Sequence, residues 1–202
     1  MASVAGPYGL VPARKYLGDT PFSSGMHTYQ VLQNQTTGMF FGDPVGIDAS
    51  GNVQALTASP APNAQPLVLG VFYGAEWQDP FRGFVNAQFL PANAIQSGAW
   101  DVRVKVFDYP WAILRVQADG SVDYTKVGQG ADLGNFGNGS VWTGNSQITL
   151  VSGSIGAGQA VRIYDLVVDA APSPGAGSLP GDAYTDCLVV WNFGVSRWLS
   201  AS

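Results

Sequence analysis

Residues 39–74 read MFFGDPVGIDASGNVQALTASPAPNAQPLVLGVFYG, and the order of apolar runs and turn residues within them decides the fold. An apolar strand enters a Gly42-Asp43-Pro44 corner, and a second strand climbs to Asp48-Ala49-Ser50-Gly51-Asn52. A third returns through Val53, Ala55 and Leu56. After a Pro/Ala/Ser loop, a fourth runs from Leu67 to Phe72. Asp, Ser, Gly and Asn between apolar segments close a hairpin, because Gly and Asn accept positive φ at little cost. Gly42 suits a bend where a side chain would clash, and Pro44 fixes φ just beyond it while withholding an N–H. The pattern predicts a small β-barrel rather than a catalytic loop.

On the N-terminal side, Met26 to Leu32 is an expected strand, with Tyr29 and Val31 facing one way and Thr28 and Gln30 the other. Before it, residues 1–25 are punctuated by Gly6, Pro7, Gly9, Pro12, Gly18, Pro21 and Gly25, too often for a regular element. They nevertheless carry Tyr8, Leu10, Val11, Tyr16, Leu17 and Phe22, so the segment is expected to be an extended arm lying on its own domain or on a neighbour. Residues 26–202 are expected to form one β-barrel or sandwich domain.

On the C-terminal side, residues 75–98 read as a long loop with at most a short helix near Ala92 to Gln96. Val102-Arg103-Val104-Lys105-Val106 alternates cleanly, which marks a half-buried strand. Ala112 to Val116 alternates again, and Asp119-Gly120 is expected to close a hairpin into Val122, Tyr124 and Val127. The tract from Gly128 to Gly144 is rich in Gly and Asn and reads as a surface loop that supplies no core. Strands follow at Gln147 to Val151, Ala160 to Val168 and Cys187 to Trp191, the last two separated by the loop Ala170 to Gly181.

Composition agrees with an all-β chain. Of 202 residues only 11% are charged, while there are 26 Gly, 13 Pro and 12% aromatics including six Trp. Low charge with many aromatics suggests surface covered by a partner. The net charge is −5 and the nine basic residues are scattered, so direct nucleic-acid binding is not expected. Neither a signal peptide nor a membrane-length apolar run is evident. Cys187, the one cysteine, sits among Leu188, Val189 and Val190 and reads as a buried, inert thiol.

Catalytic chemistry finds little purchase. His27 is the only histidine and would have to be the base of any Ser–His–Asp or Cys–His arrangement. It reads instead as a solvent-facing or hydrogen-bonded strand residue. No metal or other cofactor is expected, because His and Cys are too few and no EF-hand spacing occurs. Asp119 and Asp123 read as residues flanking turns. Glu76, the lone glutamate, has no assignable carboxylate partner for glycoside hydrolysis. Trp77, Trp100, Trp111, Trp142, Trp191 and Trp198 fit a core or an interface, and as an alternative a sugar-binding surface.

FFGDPVGIDASGNVQAL followed by LGVFYG resembles the core signature of tailed-bacteriophage capsid decoration (cement, head-stabilising) proteins. Gly9-Leu10-Val11-Pro12, Asp108-Tyr109-Pro110, Val116 to Gly120 and Val189-Val190-Trp191-Asn192 are also similar to that family, so the likeness is spread over most of the chain. The resemblance implies a β-tulip-like barrel or sandwich with an extended arm and long Gly/Pro-rich loops. It further implies a non-enzymatic virion protein on the outer capsid surface, often a homotrimer, that bridges neighbouring major capsid protein subunits. Such a protein would be assembled in the host cytoplasm, with neither membrane nor nucleic-acid contact. On that reading Tyr8, Leu10, Pro12, Arg14 and Tyr16 are the expected capsid-binding arm, and Trp191, Phe193 and Trp198 the intersubunit or core-closing cluster. The alternative is a carbohydrate- or receptor-binding β-module on a virion surface.

Overall fold

The computed structural model describes residues 5–15, 25–31, 35–61, 67–168 and 179–192. These form fourteen strands and two short 3₁₀ turns, with no α-helix among them. The strands are β1 (Val11–Lys15), β2 (Met26–Gln30), β3 (Met39–Phe40), β4 (Pro44–Ile47), β5 (Val53–Ala55), β6 (Leu67–Asp79) and β7 (Gly83–Ala87). They continue as β8 (Phe89–Leu90), β9 (Trp100–Phe107), β10 (Ala112–Gln117), β11 (Gly130–Gly134), β12 (Thr149–Val151), β13 (Val161–Leu166) and β14 (Asp186–Trp191). The all-β expectation is correct.

One sheet runs β1-β10-β14-β13-β11-β12, and the other β2-β9-β6-β4-β5 with β7 added to β6, while β3 and β8 pair separately. Every ladder is antiparallel. Neither sheet closes into a barrel by a ladder; the result is a sandwich of two open sheets. The second curls until its far ends touch through one parallel bridge, Val31 to Val53, while in the first Ala118, just after β10, bridges Leu150 of the edge strand β12.

Two apolar clusters fill these curls. The second sheet encloses Val45, Leu69, Phe72, Trp77, Val104 and others. The first encloses Leu114, Val116, Leu133, Leu150, Ile163, Val189 and Trp191, and also takes in Val68, Val71 and Phe107 from strands of the second and Leu56 from just after β5. Those four shared residues join the sheets into a sandwich.

The opening stretch is the joint between them. Asp43, 4% exposed, accepts from the Phe40 N–H at 2.8 Å and from the Ser146 hydroxyl at 2.5 Å. The Leu10 N–H donates to the Gly42 carbonyl at 2.8 Å, and the Phe72 N–H to that of Asp43. Gly42 (φ +92°) and Gly9 (φ +80°) meet face to face, and a Cβ on Gly9 would lie 2.8 Å from the Ser146 side chain. Only glycine fits both the dihedral and the space. The hairpin from β4 to β5 turns as expected: Asp48 Oδ1 accepts the N–H groups of Ser50 and Asn52 at 2.8 and 2.9 Å, and Gly51 has φ +82°.

Four expectations need correction. The segment 1–25 does contain a regular element, because β1 pairs with β10. Residues 75–98 are not a long loop: β6 extends to Asp79 and turns into β7, while Ala92 to Gln96 form turns rather than a helix. The tract 128–144 does supply core, since β11 inserts Ala131 (0%) and Leu133 (3%) between β12 and β13. After Asp119-Gly120 the chain forms a 3₁₀ turn at Tyr124–Lys126, capped by Asp123, instead of a hairpin strand.

Candidate functional site

The N-terminal segment is fastened to its own domain. Leu10 is fully buried in the first cluster, so its side chain faces no partner. Pro12 pairs with Leu114 inside β1. The Arg14 guanidinium carbon lies 5.4 Å from the Tyr164 ring centroid. The Tyr8 hydroxyl meets Arg115 Nε at 3.0 Å, and Arg115 Nη2 meets Asp186 Oδ2 at 2.5 Å. Burial, followed by the Asp186 charge, holds the Tyr8 phenol well above its ordinary value. Trp191 lies in the first core, while Tyr16, Phe193 and Trp198 lie outside the described residues.

His27 is both solvent-exposed and hydrogen-bonded. Its Nδ1 lies 2.8 Å from Asp108 Oδ1, and the Tyr29 hydroxyl donates to the other oxygen of the same carboxylate. Cys187 is fully buried, and burial pushes its thiol up to about 12, so it stays protonated. Asp123 accepts the Thr125 N–H in the turn-flanking role expected, whereas Asp119 accepts the N–H of Ser152, 33 residues away, and ties two segments together. Among the described residues no three His, Cys, Asp or Glu side chains gather as a metal site.

Large exposed apolar side chains gather instead in two places, while Met26, Trp111, Tyr124 and Val168 are exposed elsewhere. The first is the loop between β11 and β12. Trp142 is 95% exposed and Val141 58%, at the tip of a turn whose backbone is well tied. Ser140 N–H donates to Asn145 O at 2.9 Å, Gly144 N–H to Ser140 O at 2.7 Å, and Phe41 N–H to Gly144 O at 2.8 Å. A Cβ on Gly139 would overlap the Phe40 ring, so the base of the turn sits tightly on β3. The result is a knob: an apolar tip on an ordered stalk.

The second place is the end of the second sheet, where Phe81 (93%), Phe84 (63%) and Trp100 (56%) are bare. Asp79 Oδ1 accepts the N–H groups of Phe81 and Arg82, both at 2.9 Å, and fixes the β6–β7 turn. These backbone bonds hold the Asp79 carboxyl below the usual range.

The sequence groups Trp100 and Trp142 with the other tryptophans as core, interface or sugar-binding candidates, without separating these two places from the rest. Trp142 offered one usable signal, a large aromatic inside a Gly/Asn tract that otherwise lacks bulk. Beyond being a tryptophan Trp100 offers none, because simple alternation back from Val102 would turn it inward. No family model, curated protein or solved structure matches this chain.

Proposed function

We propose that this chain is a structural protein that decorates the outer surface of a tailed-phage head and cements neighbouring major capsid subunits, as a homo-oligomer of three copies. It acts by covering a seam rather than by transforming a substrate. The observation that carries the reading is the Val141-Trp142 knob. A tryptophan left bare on an ordered stalk gains nothing within its own domain, but buried in a partner's groove it becomes an interface anchor. The resemblance of the Gly42-Asp43 corner and its hairpin to decoration proteins names the partner. Many copies on a closed lattice add modest contacts into collective resistance.

Co-sedimentation with heads lacking the protein tests it. Wild type is expected to saturate the heads, and Trp142→Ala to reduce occupancy at equal concentration by ten-fold or more. Full occupancy by Trp142→Ala would overturn the role of the knob, and no binding by wild type would overturn the decoration reading. Deleting residues 1–25 is a poorer test, because it also removes β1 and the core residue Leu10. The alternative reading, a carbohydrate-binding module, draws on the second exposed place.

A further inference from the structure

Cross-strand partners in an antiparallel ladder share a face of the sheet. Gln78 of β6 pairs with Phe84 of β7 on one side and with Trp100 of β9 on the other. Phe84, Gln78 and Trp100 therefore form a row across three strands on the outer face, with the backbones that carry the two rings two strand spacings apart, about 10 Å. The next row repeats the theme with polar groups, since Glu76 pairs with Asn86 and with Arg103.

The outward position of Trp100 is imposed. Between Glu76–Arg103 and Gln78–Trp100 the register shifts, so that Asp101 and Val102 stand opposite the single residue Trp77. This is a β-bulge, and Asp101 occupies it with φ +50°. Val102 stays buried at 8% exposure and Arg103 outside; in an unbulged strand Trp100 would follow Val102 inward. A non-glycine residue held at positive φ costs energy. Here that cost turns an indole out of the core and into solvent.

Charges on this face are paired among themselves. Lys105 Nζ lies 3.2 Å from Glu76 Oε2, and Arg103 Nε lies 2.9 Å from Asp101 Oδ1. What remains toward solvent carries no unpaired charge: two rings, the amides of Gln78 and Asn86, the mutually paired Asp101 and Arg103, and Gln30, which with Trp100 and Asp101 borders a cavity of about 330 Å³. A protein-docking core would be contiguous apolar surface. Rings separated by an amide instead suit an uncharged polyhydroxyl chain, whose apolar C–H faces stack on the negative faces of the rings while its hydroxyls bond the amides.

We propose that the outer face of β7, β6 and β9 is a glycan-binding strip. Phe84 and Trp100 stack alternate residues of an extended, uncharged β-1,4-linked pyranose chain, and Gln78 and Asn86 hydrogen-bond the residue between them. The ring separation is comparable to the two-residue repeat of such a chain. The strip deepens the carbohydrate-binding reading and does not depend on head binding, which is assigned to the knob.

The test is retention of the full-length protein on insoluble cellulose and chitin, with starch as the helical α-linked control. Light scattering and melting are measured on every variant. Wild type is expected to be retained on at least one of the two β-linked polymers and not on starch. Trp100→Ala and Phe84→Ala are each expected to weaken retention ten-fold or more with melting within about 2 °C of wild type, while Trp142→Ala binds as wild type. Absence of wild-type retention on both β-linked polymers would overturn the proposal, as would retention of Trp100→Ala and Phe84→Ala at the wild-type level. A change of oligomeric state in Trp100→Ala would assign the face to a second copy and overturn it too. Should either substitution unfold the chain, Gln78→Ala with the fold intact decides: weakened retention sustains the strip, unchanged retention refutes it.

Discussion

The two sheets differ in what they turn outward. The first keeps its unusual chemistry in contact with its own chain: Arg115 is spent on Asp186 and Tyr8, and Trp191 on the core. The second exposes Phe84 and Trp100 and neutralises its charges locally. The same antiparallel architecture thus serves fastening in one sheet and presentation in the other. Bulges mark both. In β13 the register shifts between Ile163 and Asp165 within a sheet that stays sealed, whereas in β9 the shift delivers an indole to solvent.

The largest expected effect tests whether the sheets are separable. Leu114→Ala in the first core and Phe72→Ala in the second, both fully buried, should each cost about 3–5 kcal/mol. Because Leu56, Val68, Val71 and Phe107 complete the first core from strands of the second sheet or the loop beside them, each variant should melt in one calorimetric transition. Two transitions would show the sheets to be independent units.

Asp43→Ala, at the joint, comes next. It leaves the buried Phe40 N–H and Ser146 hydroxyl without their acceptor and should cost about 2–3 kcal/mol in urea unfolding. The joint also carries a pH dependence. Burial raises the Asp43 carboxyl from 3.8 to about 6, against the opposing hydrogen bonds from Ser146 and Phe40. The folded chain therefore binds this proton more tightly than the unfolded one. Its stabilising contribution is complete below pH 3.8 and is lost as pH rises through about 6, a change of about 3 kcal/mol. Asp43→Asn should flatten that decline in melting curves taken from pH 4 to 7.

Arg115→Ala should be milder, about 1–2 kcal/mol by urea unfolding, because the arginine is 36% exposed and solvent replaces part of what it gives Asp186. Its larger consequence should be faster backbone exchange in β1, which Arg115 helps to hold through Tyr8. Smallest of all, Trp142→Ala and Trp100→Ala should each change stability by less than about 0.5 kcal/mol. A larger loss at either site would mean that the side chain serves the fold rather than a partner.

What could be read from sequence was local. The Asp48–Asn52 hairpin is decided by five adjacent residues, and β9 announces itself by strict alternation from Val102 to Val106. β11 was invisible because only Ala131 and Leu133 carry its pattern between flanking glycines, and its partners lie at positions 149–151 and 161–162. β1 becomes a strand because β10 offers it an edge, which no window around Pro12 reveals. The bulge at Asp101 hid the strip, since one extra residue reverses the inward-outward reading of everything before it. Among the apolar arm residues that need a surface, Tyr16, Leu17 and Phe22 lie outside the described residues. Leu10 found that surface in its own domain.

The second sheet meets its own opposite rim at a single point, Val31 to Val53. A rim already turned toward its own counterpart offers little foothold to a stranger's strand, which is the common first step toward fibrils. Along the second sheet such a self-facing rim leaves turns and flat faces, rather than strand edges, as the surface that another molecule would meet.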